Sequence, residues 1–331
     1  LLASKVPVTI GLISYSAYLW HQPLFAFARI LEVEAPKPDL MLSLSALTLV
    51  LAYLSWRFIE APFRAKGRVS RAMVFGGALV GSLCFVAVGG YLQWRQGMPE
   101  RVSDAAVAQQ PGMYIGYNQR IFQRKLDAVP RSDVPSVRKV LVQGNSYARD
   151  FVNMNLEAFD QAHLEFVYRD DFPECLSEVS GVHATLLQQA DVIVYASGGA
   201  RLRCVNENIS AVKELGKALF YVGGKQFGYN LNWVVRLQPD ERGNRSNAVV
   251  SVARDEELKL KAMVPTSHFL PIYERVVVGE WRMPITDAKG HLLTPDRVHL
   301  TQHGALHIGP RVLYDTAYEQ AMGRPSRSLS R

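Results

Sequence analysis

Two separate stretches of the chain carry residues that could perform acyl chemistry. The first is "VLVQGNSYARDF", residues 140–151, where an apolar run ends, a helical pattern begins and Ser146 lies between them. A serine at this point can act as a nucleophile, because the free amides at a helix N-terminus stabilise an oxyanion. It can also simply cap the helix, since serine is a favoured N-cap residue. The spacing alone leaves these two interpretations balanced.

The second stretch, "TPDRVHLTQHGALHIG" at residues 294–309, favours the nucleophile. Asp296 and His299 are three residues apart, so the carboxylate can orient the imidazole while the imidazole faces a serine. A rival interpretation is a metal site, because His299, His303 and His307 have the i, i+4, i+8 spacing of one helix face. That row lacks the Glu of an H-E-x-x-H motif, so we expect no metal here.

The elements that must position these residues alternate between strand and helix patterns. Apolar, β-rich runs occur at residues 138–143, 164–169, 191–197 and 218–224. Stretches of helical period lie between them, at residues 149–162, 183–190 and 206–217. This alternation predicts a parallel sheet with helices on both faces, and an active site beyond the carboxyl ends of the strands. Ser146 follows the end of the first strand.

The N-terminal third has the composition of membrane helices. Residues 73–92 carry no charge over twenty positions, residues 40–56 are also uncharged, and 6–28 contain only His21 as an ionisable group. Such lengths can cross a bilayer, so we predict transmembrane helices at about 6–30, 40–59 and 73–94 within a membrane region of residues 1–94. We expect His21 to be structural or to line a cavity. Residues 95–137 are predicted to be an extension that leads to a soluble domain at 138–331.

The formal charge of +7 does not by itself indicate nucleic-acid binding, and the distribution of the basic residues instead indicates how the chain is oriented in the membrane. Five basic residues crowd the loop between the second and third predicted spans, whereas "EVEAPKPD" at 32–39 is net acidic. These five are Arg57, Arg64, Lys66, Arg68 and Arg71. The positive-inside rule places their loop in the cytoplasm and the soluble domain on the external side of the membrane, where conditions can be oxidising. In that oxidising compartment Cys175 and Cys204 can form a disulfide, the alternative being two buried thiols.

Four motifs resemble known families. "GNSYARD" (144–150) together with "DRVHLTQHGA" (296–305) resembles the SGNH hydrolase-like fold, a three-layer, parallel-sheet, flavodoxin-like α/β fold. "ISYSAYLWHQPLF" (13–25) and "YLSWRFIEAPFR" (53–64) resemble the last helices of the acyltransferase-3 family. In combination they are similar to the fused acyltransferase-3/SGNH membrane proteins that O-acetylate bacterial surface polysaccharides.

The resemblance implies roles for the individual residues. Ser146 would be the nucleophile, His299 its base and Asp296 the carboxylate that orients the base. The residues that form the oxyanion hole in the family are matched only in part, because "ASGGARLRC" (196–204) has no asparagine where the family has one. The expected donors are the Ser146 amide and either Gly198 or Gly199. The glycine-rich segment 223–232 could line the acceptor cleft, or it could be an ordinary polar loop.

The implied function is O-acyl transfer at the bacterial inner membrane. The acceptor would be a surface polysaccharide such as O-antigen of lipopolysaccharide, exopolysaccharide or peptidoglycan, and acetyl-CoA would be the acyl donor of the full-length protein. Residues 1–30 lack the features of a signal peptide, so we expect further membrane helices before them. Separately, we expect no cofactor to be bound by this part of the protein alone. Two alternatives stay open: a membrane-tethered SGNH carbohydrate esterase, and a non-catalytic glycan-binding module, which Asn145 in place of the usual Asp would suit.

Overall fold

The computed structural model describes residues 4–65, 69–95, 97–98, 114–127, 137–198 and 202–323. Contacts within the chain divide it into two units, Leu1–Ala105 and Ala106–Arg331. Each unit has its own set of elements, and each is described by itself below.

The first unit consists of long helices. They are α1 (Lys5–Leu31), α2 (Pro38–Arg64) and α3 (Arg71–Trp94). Among the described residues, α2 and α3 are the two helices that are long and apolar enough to cross a membrane. Helix α1 has 27 residues but is not one of these two, so the first predicted span, at about 6–30, stays a prediction. Within α1, His21 Nδ1 donates to the carbonyl of Tyr18 at 2.6 Å.

Polar side chains join α1 to α2 on one face. The indole Nε1 of Trp20 donates to Ser55 Oγ at 2.7 Å, and the hydroxyl of Ser16 donates to the carboxylate of Glu60. The backbone of α2 widens into a π-helical turn at Trp56–Glu60, between these two contacts. Such turns are rare and occur mostly as single insertions within α-helices.

The second unit is built on a parallel sheet. Its described strands are β1 (Arg138–Gln143), β2 (Leu164–Arg169), β3 (Val192–Tyr195), β4 (Ala218–Val222), β5 (Ser246–Ala248), β6 (Phe269–Leu270) and β7 (Arg282–Pro284). Five of them form the sheet in the order β2-β1-β3-β4-β6, all parallel, while β5 and β7 form a separate antiparallel pair. This order is that of a flavodoxin-like, doubly wound α/β sheet. The four strands predicted from the sequence are all present.

Helices cover both faces of the sheet. The described helices of this unit are α4 (Tyr114–Gln119), α5 (Ser146–Ala158), α6 (Val182–Gln189), α7 (Val205–Glu214), α8 (Asn232–Val235), α9 (Ser251–Met263), α10 (Tyr273–Val276), α11 (Gln302–Leu313) and α12 (Ala317–Ala321). Alternate residues of β1 face opposite cores. Val140 and Val142 pack in a core shared with α5 and α11, whereas Leu141 belongs to a second core with α6, α7 and α9. Burial on both faces explains why the central strands read as continuous apolar runs.

The described part of the predicted extension, residues 114–127, packs onto this unit. Tyr117 on α4 and Ile121 in the turn that follows it are both buried in the first core. Asn118 Nδ2 donates to Asp150 Oδ1 on α5 at 2.8 Å. Tyr117 and Ile121 therefore form part of the α/β core.

A disulfide joins two segments on the α6–α7 side of the sheet. Cys175, which follows β2, is bonded to Cys204, which directly precedes α7, and their Cα atoms are 5.3 Å apart. The bridge closes a loop with a sequence separation of 29 residues. Cys84 on α3 is a free, exposed thiol.

Candidate active site

A tight turn brings Ser146 to the carboxyl edge of the sheet. Gly144 has φ +140, and a Cβ on it would collide with the carbonyl oxygen of Ala196, at the end of β3. The amide of Ala196 in turn donates to Gln143 O at 2.9 Å, which holds the two strand ends together. Ser146, the first residue of α5, therefore lies at the β1/β3 position where the strand order reverses. Doubly wound sheets bind their ligands at this point.

The helix cap is Asn145 and not Ser146, so the alternative that Ser146 serves as the cap is wrong. Asn145 Oδ1 accepts from the amide of Tyr147 at 3.0 Å, and Nδ2 donates to Ser197 O at 2.7 Å. An aspartate at this position could make the first bond but has no proton for the second. The amide of Asn145 thus ties α5 to the segment after β3.

Asp296 and His299 form a tight pair in the loop that precedes α11. Oδ2 of Asp296 lies 2.6 Å from Nδ1 of His299, and Oδ1 accepts the amides of Val298 at 2.7 Å and His299 at 2.9 Å. Burial alone would raise the pKa of the Asp296 carboxyl, but the bonds from His299 and Val298 outweigh it and hold this pKa well below its usual range. The carboxylate therefore fixes a proton on Nδ1 and leaves Nε2 as the basic nitrogen.

A buried ion pair anchors this loop to α5. Lys225 Nζ lies 2.6 Å from Asp150 Oδ2 and donates to the carbonyl of Val298. The same Asp150 oxygen accepts the amide of Leu300 at 3.2 Å. Asp150 is one helical turn after Ser146, and residues i and i+4 share a helix face. Leu300 directly, and Val298 through Lys225, are therefore tied to the face of α5 that begins at Ser146.

The pair is withdrawn from solvent. The side chains of Lys225 and Asp150 are 1% and 0% exposed. Burial raises the pKa of Asp150, and the Lys225 charge opposes that rise. The sequence interpretation missed both residues. Two features of the sequence could have indicated them: Asp150 is a carboxylate four residues after the candidate nucleophile, and Lys225 is the single cation within the glycine-rich stretch 223–232.

Segment 223–232 supports the His299 loop. Five of its ten residues are buried, and the amide of Phe227 donates to Arg297 O at 2.8 Å. Tyr147 contacts it from α5, where its hydroxyl donates to Lys225 O at 3.1 Å and its ring lies 4.0 Å from Lys225 Nζ. The segment thus packs against the His299 loop, and its role in lining an acceptor cleft stays a prediction.

A cavity of about 140 Å³ lies between this segment and α9, and Tyr147 and Glu257 are among its lining residues. Glu257 Oε2 accepts the amide of Gly224 at 2.7 Å, while Oε1 is buried with no hydrogen-bond partner among the described residues. Burial raises the pKa of Glu257 to about 7. The carboxyl is therefore close to half-protonated at neutral pH.

Of the oxyanion candidates, the structure describes Ser146 and Gly198. The Ser146 amide is in the first turn of α5, where backbone N–H groups have no intrahelical acceptor. Gly198 has φ +64, and a Cβ on it would be 2.6 Å from the ring of Tyr147, so this glycine passes directly against the start of α5. Gly199 lies outside the described residues.

The three C-terminal histidines do not form the row that their spacing suggests. Helix α11 begins at Gln302, so His299 lies in the preceding loop and pairs with Asp296. His303 is in the first turn of α11 and stacks on His291, with the ring centroids 4.1 Å apart. Burial, and then the neighbouring His291, lower the pKa of His303. His299, His303 and His307 therefore do not lie along one helix face, and the metal site that was the rival to the triad does not form from these three residues.

Part of the chain is similar to curated proteins. A segment of 67 residues, 20% of this chain, is 40% identical to the O-acetyltransferase OatA of Staphylococcus aureus strain NCTC 8325 / PS 47. A segment of 66 residues is 41% identical to a putative O-acetyltransferase of S. aureus strain COL. The chain covers 11% of the length of each of these relatives. No family model matches the chain, and no solved structure matches it significantly.

Proposed function

We propose that this chain is part of a membrane-bound O-acyltransferase, which moves an acetyl group onto a hydroxyl of a bacterial surface polysaccharide through an acyl-Ser146 intermediate. The observation that carries the proposal is the Asp296–His299 pair, which Lys225 and Asp150 hold to the helix that begins at Ser146. The similarity to O-acetyltransferases supports acyl transfer as the reaction. The strand order and the Ser, Asp, His order along the chain support an SGNH hydrolase-like domain.

The proposed reaction has two halves. His299 Nε2 removes the proton of Ser146 Oγ, which attacks the carbonyl carbon of the acyl donor, and the same proton passes to the departing donor group. In the second half His299 takes the proton of the sugar hydroxyl, whose oxygen attacks the acyl-serine, and the proton returns to Ser146. Asp296 stabilises the imidazolium in both halves. The amide of Ser146, with Gly198 or Gly199, would stabilise each tetrahedral oxyanion.

The proposal includes a membrane topology. Helices α2 and α3 would cross the inner membrane with their connection, flanked by Arg64 and Arg71, in the cytoplasm. The second unit would then lie in the periplasm, where the Cys175–Cys204 disulfide is chemically stable. The acyl group would come from acetyl-CoA, carried across by further helices of the full-length protein. Reporter fusions after residues 69 and 120 should report cytoplasm and periplasm, and the same compartment at both would refute this topology.

The test of the function uses the full-length protein in cells and the purified chain in detergent. Ser146→Ala should abolish polysaccharide acetylation in cells, whereas Ser210→Ala, an exposed helical serine, should not change it. With an activated acetyl ester, mass spectrometry should find one acetyl group on Ser146 of the purified chain. Released acetate with no acetylated polysaccharide would identify an esterase instead. A folded Ser146→Ala protein that acetylates at the parental rate would refute the mechanism.

A further inference from the structure

A second cluster of ligand-type side chains lies at the base of the His299 loop. It consists of Asp287, His291 and His303, whose nearest donor atoms all lie within 4.8 Å of one another. Asp287 Oδ2 is 2.8 Å from His291 Nδ1, and the rings of His291 and His303 stack within 8° of parallel. The proposed triad uses none of these residues. We propose that this cluster is a binding site for a divalent transition metal of the zinc class.

The backbone around the cluster is fixed before any metal binds. Asp287 and His291 belong to a short hairpin, in which Asp287 N donates to His291 O at 3.1 Å and Asp287 Oδ1 accepts the His291 amide at 2.9 Å. Thr301, the N-cap of α11, is bonded to the end of that hairpin through Leu293 O at 3.1 Å and through Leu292 O at 2.6 Å. His303 follows two residues later. The side chains thus come from two elements that are already joined, which lowers the cost of assembling a site.

The donor set selects the kind of ion. Two imidazoles with one carboxylate are a common zinc set, in which three protein ligands leave a fourth position for water. Ca²⁺ and Mg²⁺ prefer oxygen ligands, and in this cluster only Asp287 offers oxygen atoms. Ligands of a tetrahedral zinc are about 3.4 Å apart, so donor atoms within 4.8 Å are near enough for one ion, which would bind once the two stacked rings tilt toward it. The side chains of His291 and Asp287 are 36% and 22% exposed, which leaves a route for the ion and room for the water.

The position of the cluster indicates what the metal would do. His291 and His303 flank the segment 292–302, which contains both Asp296 and His299. A metal that binds His291 and His303 would close this loop at its base, in the way that a cross-link does. Its role would therefore be to hold the loop, and the metal would not take part in the acyl-transfer steps.

The test measures zinc binding by the detergent-purified full chain, prepared with a tag that contains no histidine and stripped with a chelator. Equilibrium dialysis against ZnCl₂, with metal analysis, should give one zinc per chain at this site, and MgCl₂ should not bind there. His303→Gln and Asp287→Asn should each weaken zinc binding by at least about tenfold, since even changes beyond the direct ligands cost that much. Zinc should also raise the unfolding temperature of the parental chain but not that of His303→Gln.

His307→Gln is the matched control, because His307 lies one turn further along α11 and outside the cluster. It should bind zinc like the parental chain. Circular dichroism confirms the fold of each variant. If His303→Gln does not fold, Asp287→Asn serves as the test, because the asparagine oxygen can still accept the hydrogen bonds of the hairpin. Equal zinc binding by the parental chain and both cluster variants would overturn the proposal. Neither result depends on acyl transfer, so the proposed function can fail while the metal site stands.

Discussion

The ion pair between Lys225 and Asp150 should behave as one unit, and a double-mutant cycle tests this directly. Lys225→Met keeps the length of the side chain and removes its charge. Asp150 then stays buried without its cation, while the Val298 carbonyl loses a donor. Removal of one partner of a buried pair costs about 3–5 kcal/mol, because the remaining charge is uncompensated. Asp150→Asn should cost a similar amount, since it leaves the lysine charge buried.

The double variant distinguishes a coupled pair from two independent contacts. If the contacts were independent, the two losses of unfolding free energy would add to about 6–10 kcal/mol. In a coupled pair the second substitution removes the buried charge that the first had left without a partner, so it costs little more. We therefore expect Asp150→Asn/Lys225→Met to be destabilised by about 3–5 kcal/mol, no more than either single variant. The coupling energy would be of the same size, about 3–5 kcal/mol.

The assay is urea unfolding of residues 106–331, followed by the fluorescence of Trp233 and Trp281 after circular dichroism has shown that the fragment folds. Lys213→Met on the exposed side of α7 is the control and should change the free energy of unfolding by no more than about 0.5 kcal/mol. In mild conditions Lys225→Met should also lower the rate of Ser146 acetylation by roughly a hundredfold, because His299 is no longer held in place. Additive single-variant costs would refute the coupling, and an unchanged acetylation rate would refute the positioning role.

Three other changes follow from the same geometry. Asn145→Ala should cost about 1 kcal/mol in the urea assay because it removes the cap, and Ser146→Ala should cost clearly less; equal costs would contradict the assignment of the cap. Glu257 has its pKa raised from 4.5 to about 7, so its contribution to stability is complete below pH 4.5 and is lost as the pH rises through 7. The unfolding free energy should fall by about 3 kcal/mol at most between pH 5 and 8, and Glu257→Gln should abolish this decline. Replacing Cys175 and Cys204 with serine should cost about 3–4 kcal/mol, and maleimide should label only Cys84 in the unreduced, denatured full chain.

The main strands and the Asp296–His299 pair could be predicted from the sequence because their signals are local. Strands β1 to β4 each contain an uninterrupted apolar run of three to five residues, and a carboxylate three residues before a histidine is visible as a spacing. Strand β6 could not be predicted, since Phe269–Leu270 is too short to show a period.

The residues that support the site could not be predicted, because their partners are distant along the chain. Lys225 acts through Val298 and Asp150, which are separated from it by 73 and 75 residues. The rival interpretation, a helical row of histidines, rests on spacing alone. The start of α11 at Gln302 removes His299 from that row, and the hairpin provides His291, which no helical period connects to His303.

The π-helical turn at Trp56–Glu60 determines which way two polar side chains of α2 point. In a regular α-helix each residue rotates by about 100°, so residues five apart point about 140° away from each other. A backbone that bonds i to i+5 brings residues five apart close to one line. Ser55 and Glu60 are separated by that interval, and both bond to α1, through Trp20 and Ser16. Straightening this turn into a regular α-helix of the same sequence would therefore turn Glu60 about 140° away from Ser55 and break one of the two contacts to α1, whereas a one-residue deletion between them would restore the shared face as an i, i+4 pair.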